Sequence, residues 1–187
     1  MEQILDRYRS DLERAMRQLD PGQLRVVGEA ILAARAAGRQ VFLMGNGGSA
    51  ATPSHSAGDW AKELGVRARC LSDNTTVLTA LANDVGYESV FAEQLRIHLS
   101  PGDVVIAYSG SGNSPNVLRA VEYARERGSF TIGVTGDYRG NAGGRLARLV
   151  DLAVVVASQS MEVIEDCHLI VNHIVKTFVM ARSSASG

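Results

Sequence analysis

Apolar positions recur at two different spacings along the chain, and each change of spacing marks a new element. Ile4, Tyr8, Leu12, Ala15 and Leu19 fall three or four residues apart, the spacing of one helix face. Asp20-Pro21 then supplies an N-cap and a first-turn proline for a second helix, which Gly38 closes. Beyond Gly38 short apolar runs take over. Strands are expected near 40–44, 67–72, 103–108, 130–135 and 152–156, and helices near 49–64, 75–83, 87–99, 115–127, 141–148 and 161–181. The runs at 104–108 and 152–156 are continuously apolar, the pattern of parallel strands covered on both faces. Strands alternating with helices and almost no spare loop predict an α/β fold. It is a three-layer α/β/α sandwich around a five-stranded parallel sheet, preceded by a helical arm over 1–38. No repeat or linker interrupts the pattern, so residues 1–187 read as one domain, with Ser183-Ser184-Ala185-Ser186-Gly187 as a frayed tail.

Composition narrows the classes of function. A chain of 187 residues with 45% hydrophobic residues is large enough for a substantial core and gives no reason to expect disorder. A formal net charge of −1 offers no basic excess to neutralise a nucleic-acid backbone, so no nucleic-acid partner is expected. Cys70 and Cys167 have no metal-type spacing and read as reduced, buried thiols. The charged, amphipathic start Met1-Glu2-Gln3-Ile4-Leu5-Asp6-Arg7 does not resemble a secretion signal. No apolar run approaches the roughly 18 residues of a membrane span. A cytoplasmic protein without a membrane partner is the expectation.

Two turns carry the candidate chemistry. Gly45-Asn46-Gly47-Gly48-Ser49 follows the first strand, and Ser109-Gly110-Ser111-Gly112-Asn113-Ser114 follows the third; each opens a helix. Such turns present unpaired backbone N–H groups and the positive end of a helix dipole, which suits an anion, commonly a phosphate. Gly45, Gly47 and Ala50 also match a loose dinucleotide-binding pattern, with Asp73 in the place of the ribose-binding acid. Asp73 lies further on than the usual spacing of about 20, and that pattern has no need of a second serine-rich turn. In a parallel sheet both turns stand at the carboxyl edge, where one small molecule can touch both. Elsewhere, His55 and Asp59 share a helix face, and Glu165, His168 and His173 crowd the last helix. Each reads singly as part of a charged face or a core histidine; with the turns they read as halves of a metal site.

Together these motifs resemble the phosphoheptose isomerases, single-domain members of the SIS (sugar isomerase) superfamily with a flavodoxin-like sheet. The resemblance rests on Gly-Asn-Gly-Gly-Ser-Ala with a histidine six residues beyond the serine, on Asn83-Asp84, on Ser-x-Ser-Gly-Asn-Ser, and on a final helix with paired histidines. It implies interconversion of sedoheptulose 7-phosphate and D-glycero-D-manno-heptose 7-phosphate, the first step of activated heptose biosynthesis. It implies a homotetramer with active sites between subunits and one Zn²⁺ per subunit. By position, it implies that Asn46, Gly47, Gly48 and Ser49, Asn83 and Asp84, and Ser109, Gly110, Ser111 and Ser114 bind substrate. The implied metal positions are His55, Asp59, Glu165 and His173, and His168 reads as a supporting or structural residue.

Three departures bear on the chemistry. The family usually has glutamate at Asp59, where the carboxylate here retreats by about 1.5 Å; a shift of about 1 Å can cost a hundredfold in rate. Glu165 replaces a glutamine, so two carboxylates and two neutral imidazoles bring a Zn²⁺ site to formal neutrality, a weaker Lewis acid with an added base. Gly110 replaces a threonine of the phosphate turn. Isomerisation through an enediol needs a base beside the reacting carbons, a stabilised oxyanion and a grip on the distant phosphate. Asp59, Glu165 and His173 are the candidate catalytic residues. The alternatives are a non-catalytic SIS module that binds a phosphosugar or a protein partner, and an isomerase of another sugar phosphate.

Overall fold

A computed structural model of the chain describes residues 1–184. The helices are α1 (Glu2–Arg17), α2 (Pro21–Ala36), α3 (Gly48–Leu64), α4 (Thr75–Val85), α5 (Val90–His98), α6 (Pro115–Glu126), α7 (Gly144–Leu149) and α8 (Met161–Ser184). The strands are β1 (Gln40–Met44), β2 (Arg67–Cys70), β3 (Val104–Ser109), β4 (Phe130–Gly136) and β5 (Leu152–Val156), all parallel in the order β2-β1-β3-β4-β5. Val41 stands opposite Val104, and Val104 opposite Phe130. This is the α/β/α sandwich expected from the alternation of periods.

The two faces of the sheet separate by alternation along each strand. Val41, Leu43, Ile106, Tyr108 and Val134 pack beneath α2, α3 and the middle of α8, with Trp60 the largest side chain of that layer. Phe42, Met44, Val105 and Ala107 face the opposite layer, built from Phe91 and Leu95 of α5, Val117 and Val121 of α6 and Leu146 of α7. At about 25 cal/mol per Å² of apolar surface these layers supply the main stabilisation. The order in which strands are added reverses between β1 and β3: the path leaves β1 toward β2, and leaves β3 toward β4. Ligands of open parallel sheets collect at the carboxyl ends of such a pair.

Several boundaries differ from the sequence reading, each for a local reason. β2 stops at Cys70, because the Ser72 hydroxyl turns to donate to the Gly45 carbonyl (2.9 Å). The helix expected over 87–99 is a single 3-10 turn at Tyr87–Ser89 followed by α5. α7 starts at Gly144 rather than 141, since Ala142, Gly143 and Gly144 all have positive φ. β5 lies at the sheet edge, so Leu152, Ala153 and Val155 are only half-buried despite the apolar run. Ser183 and Ser184, expected in a frayed tail, close α8: the Ser183 hydroxyl donates to the Val179 carbonyl and accepts from Arg35. The rest of that tail lies outside the described residues. The apolar stripe of α1 is largely used within the chain. Tyr8, Leu12, Ala15 and Leu19 pack with Val156, Val163, Ile164 and Cys167, and the Tyr8 hydroxyl donates to Asp166 (2.7 Å), while Ile4 stays exposed.

Candidate active site

The first turn is shaped by close backbone approach. Pro53, inside α3, has no N–H to offer the Ser49 carbonyl four residues earlier. That carbonyl leans on Gly45, where any Cβ would overlap it. Gly47 takes φ +55 and lets α3 begin at Gly48, its positive dipole end facing the strand edge. Asn46 is fixed by a reciprocal amide pair with the buried Asn116 of α6 (2.8 and 2.9 Å), and its Oδ1 also accepts from the Tyr87 hydroxyl (2.9 Å). Asn116 and Tyr87 escaped the sequence reading, since nothing in the spacing of 46, 87 and 116 announces a shared hydrogen-bond network.

The second turn stands beside the first, at the end of β3. The Gly112 N–H returns to the Ser109 carbonyl (3.0 Å), the Ser109 and Ser114 hydroxyls pair (3.3 Å), and α6 opens at Pro115. Among the described residues no backbone acceptor receives the N–H groups of Gly110 or Ser111. Both turns line one cavity of about 260 Å³, which gathers Asn46, Gly47, Gly48, Ser49, Ser109, Gly110, Ser111 and Ser114 with Tyr108, Met161 and Glu165. Gly110 now has a physical reason: a Cβ there would overlap the Met161 sulfur. A Cβ at Gly48 would likewise overlap the Glu165 carboxylate, so Glu165 lies directly over the first turn. Burial, aided by Glu162 and Asp166, pushes the Glu165 carboxyl above its usual range. Larger clefts lie elsewhere, at about 620 Å³ beside α1 and about 670 Å³ at the amino ends of β4 and β5. Neither touches either turn.

Further along, α3 and α8 bring a second set of groups together. His55 Nε2 and His173 Nε2 are 3.0 Å apart, and His55 Nε2 lies 3.3 Å from Asp59 Oδ2. These three residues form a group able to hold a metal ion, with donor atoms within 4.8 Å of one another. Two imidazole nitrogens on one tetrahedral zinc would stand roughly 3.3 Å apart, close to what is found here. Three protein donors with one position left open suit a catalytic ion better than a structural one. Lys176, one turn beyond His173, donates to Asp59 (2.9 Å) and stands 3.2 Å from Glu63. Its ammonium holds the Asp59 carboxyl below the usual carboxylate range. Lys176 also went unremarked in the sequence, although Asp59 with Glu63 and His173 with Lys176 are each at helical spacing.

The residues singled out from sequence therefore divide. The two turns and Glu165 meet at one cavity, and His55, Asp59 and His173 meet in another group. Glu165 does not join that group: it is eight residues from His173, about 12 Å along the α8 axis. The formally neutral four-ligand site expected from sequence is thus not assembled within a single chain. Asn83 and Asp84, at the exposed end of α4, bond to each other (2.8 Å) and do not line the cavity. His168 is fully buried, edge-on to Tyr108 (centroids 5.8 Å), with the Thr135 backbone beside its ring.

Known proteins share this fold and much of this sequence. The family described as SIS domain matches residues 6–136. The phosphoheptose isomerase of Burkholderia pseudomallei is 41% identical over 157 residues, 81% of this chain and 78% of that one. The phosphoheptose isomerase of Aneurinibacillus thermoaerophilus is 37% identical over 147 residues, 76% and 72% of the two chains. Among solved structures, the phosphoheptose isomerase from Neisseria gonorrhoeae superposes with a TM-score of 0.90 at 28% identity, over 96% of this chain and 98% of that one. Likeness of this degree, in sequence and in fold and across most of each chain, means that this chain belongs to the SIS domain family and, within it, to the phosphoheptose isomerases.

Proposed function

We propose that the enzyme interconverts sedoheptulose 7-phosphate and D-glycero-D-manno-heptose 7-phosphate, the first step toward an activated heptose. The observation that carries this reading is the single cavity lined by both turns and Glu165. Backbone N–H groups and hydroxyls of the serine-rich turn hold the phosphate, with Ser49 and the Gly47–Gly48 backbone of the first turn against the sugar. Anchoring the phosphate positions the reacting carbons at the far end of the substrate.

The proton moves by way of a carboxylate. Glu165 removes it from one of the two carbons, giving the enediolate, and returns it to the neighbouring carbon, while the matching proton passes between the two oxygens. Glu165 suits this role better than Asp59, because burial makes its carboxylate more basic whereas Lys176 makes Asp59 less so. His55, Asp59 and His173 would hold a Zn²⁺, whose contribution is to polarise the substrate oxygens. His173 serves as a donor to the ion rather than as a proton carrier, because an Nε2 that binds Zn²⁺ has no lone pair left for a proton. Replacing Glu165 with glutamine should lower kcat by roughly 10²- to 10⁴-fold, with KM close to that of the unmodified enzyme. Conversion of sedoheptulose 7-phosphate is followed directly. A rate for E165Q within a few fold of normal would remove Glu165 from the reaction.

The two groups stand two helical turns apart on α8, and a second copy of the chain supplies what one copy separates. The cavity of one subunit, with its Glu165, faces the His55–Asp59–His173 group of another in a homotetramer. Exposed Ile4, Leu5, Met16, Ile174 and Met180 provide apolar surface for such contacts.

A further inference from the structure

The connection from Asp137 to Gly144 is built against the serine-rich turn. Five of its residues take left-handed conformations, and two of these, Arg139 (φ 57) and Ala142 (φ 52), are not glycine. Such residues persist only where their surroundings hold them in place. The Ala142 N–H donates to Asp137 Oδ1 (2.7 Å), the Gly143 N–H to Asn141 Oδ1 (3.2 Å), and the Thr135 hydroxyl to the Gly143 carbonyl (3.3 Å). Gly112 and Gly143 meet so closely that a Cβ on Gly112 would overlap the Gly143 carbonyl. One side chain crosses from this connection to the turn: Asn141 Nδ2 donates to the Ser111 carbonyl (2.8 Å). The same oxygen accepts from Asn113 Nδ2 (2.9 Å), whose Oδ1 takes the Arg145 N–H (3.0 Å).

The Ser111 carbonyl is held by two amide donors that do not line the cavity, and the Gly112 N–H of the same peptide plane closes on the Ser109 carbonyl, so the turn leaves the Ser111 N–H and hydroxyl to the cavity. We propose that Asn141 is a positioning residue: it pins the Ser111 carbonyl on the protein side and so orders the N–H and hydroxyl groups that meet the phosphate. The proposal rests on reading Ser109–Ser114 as the phosphate cradle. Asn141 itself lines no part of the cavity. It touches the turn directly at the Ser111 carbonyl, and its Oδ1 holds Gly143 against Gly112, so it acts on the phosphate end and not on the reacting carbons.

The test measures KM, kcat and the constant for competitive inhibition by inorganic phosphate in Asn141→Ala and Asn141→Ser, with thermal unfolding as the control on folding. Expected is a five- to tenfold rise in KM and the phosphate constant together, exceeding any change in kcat, the size of one lost hydrogen bond. Ala142→Gly, which relieves the left-handed strain and leaves the bond to Ser111 in place, should change neither constant. Unaltered phosphate inhibition in both Asn141 variants overturns the proposal, as does an equal loss in Ala142→Gly, which would assign the effect to the backbone of the connection. Direct calorimetric titration with inorganic phosphate reads the cradle without turnover. It therefore separates a failure at Asn141 from a failure to isomerise sedoheptulose 7-phosphate.

Discussion

Gly110 and Met161 are two halves of one choice. The motif resemblance leads one to expect a threonine at this place in the phosphate turn, and here the methionine sulfur occupies the space its side chain would need. Gly110→Thr should therefore fail in this background, losing about 1–3 kcal/mol through overpacking and weakening phosphate binding. Adding Met161→Ala should recover most of that loss. Thermal unfolding and phosphate inhibition of the single and double variants check it, and strict additivity would show the two residues to be uncoupled. Sequence spacing revealed that Gly110 lacks a side chain, but not what fills the gap, because 110 and 161 meet only once β3 and α8 are side by side. The same holds for the hydrogen bonds that Asn116 and Tyr87 give to Asn46. Lys176 was legible in part. It stands one turn beyond His173, and Asp59 and Glu63 are four apart, so each helix face was readable, but their ion pair appears only when α3 and α8 lie side by side.

The elements themselves were almost fully legible, because each follows from a local cause. Alternating apolar runs gave the five strands, and Asp20-Pro21 and Ser114-Pro115 marked two helix starts. Errors gathered where three-dimensional packing overrules local preference, as at β5, whose apolar run suggested a covered strand and which lies at the edge. α8 shows a subtler limit. Its period told which residues share a face, but not that the face carrying His168 and Asn172 is sealed from water, with the Asn172 amide without a hydrogen bond among the described residues. Burial pushes the His168 imidazole down to about 4 from an ordinary value near 6.5. An unfolded chain then binds this proton before the folded one does. Stability from neutral His168 is complete above pH 6.5 and is lost as pH falls toward 4, by about 3 kcal/mol at most. His168→Leu should flatten that part of the curve. Urea unfolding at pH 7, 5.5 and 4.5 measures it, and parallel curves for both proteins would remove His168 as the cause.

The arrangement of the chain as a unit explains why the candidate residues could be picked out in the sequence but not grouped there. Order β2-β1-β3-β4-β5 puts the two turns side by side at the reversal between β1 and β3, as strand alternation implied. The distance along α8 that parts Glu165 from His173 is equally a matter of counting residues, yet its meaning appears only when the Glu165 carboxylate is seen over Gly48. If the enzyme works between subunits, two inactive variants should repair each other. E165Q and H173A, each assembled alone, should be nearly inactive. Unfolded together and refolded as mixed oligomers, they should regain a substantial part of the normal rate, because some sites then draw Glu165 and His173 from different chains. Mixtures that stay inactive while forming mixed oligomers would confine the site to one chain. Light scattering on the purified protein gives the number of copies directly.

Lys176 lends Asp59 and Glu63 a counter-charge that belongs to the polypeptide itself. Acids brought together with imidazoles commonly depend on an arriving ion to offset their repulsion, and proteins built that way stay unfolded until it comes. Here α3 and α8 can close on each other beforehand. If His55, Asp59 and His173 hold an ion, stripping it should therefore leave the two helices packed and the fold intact.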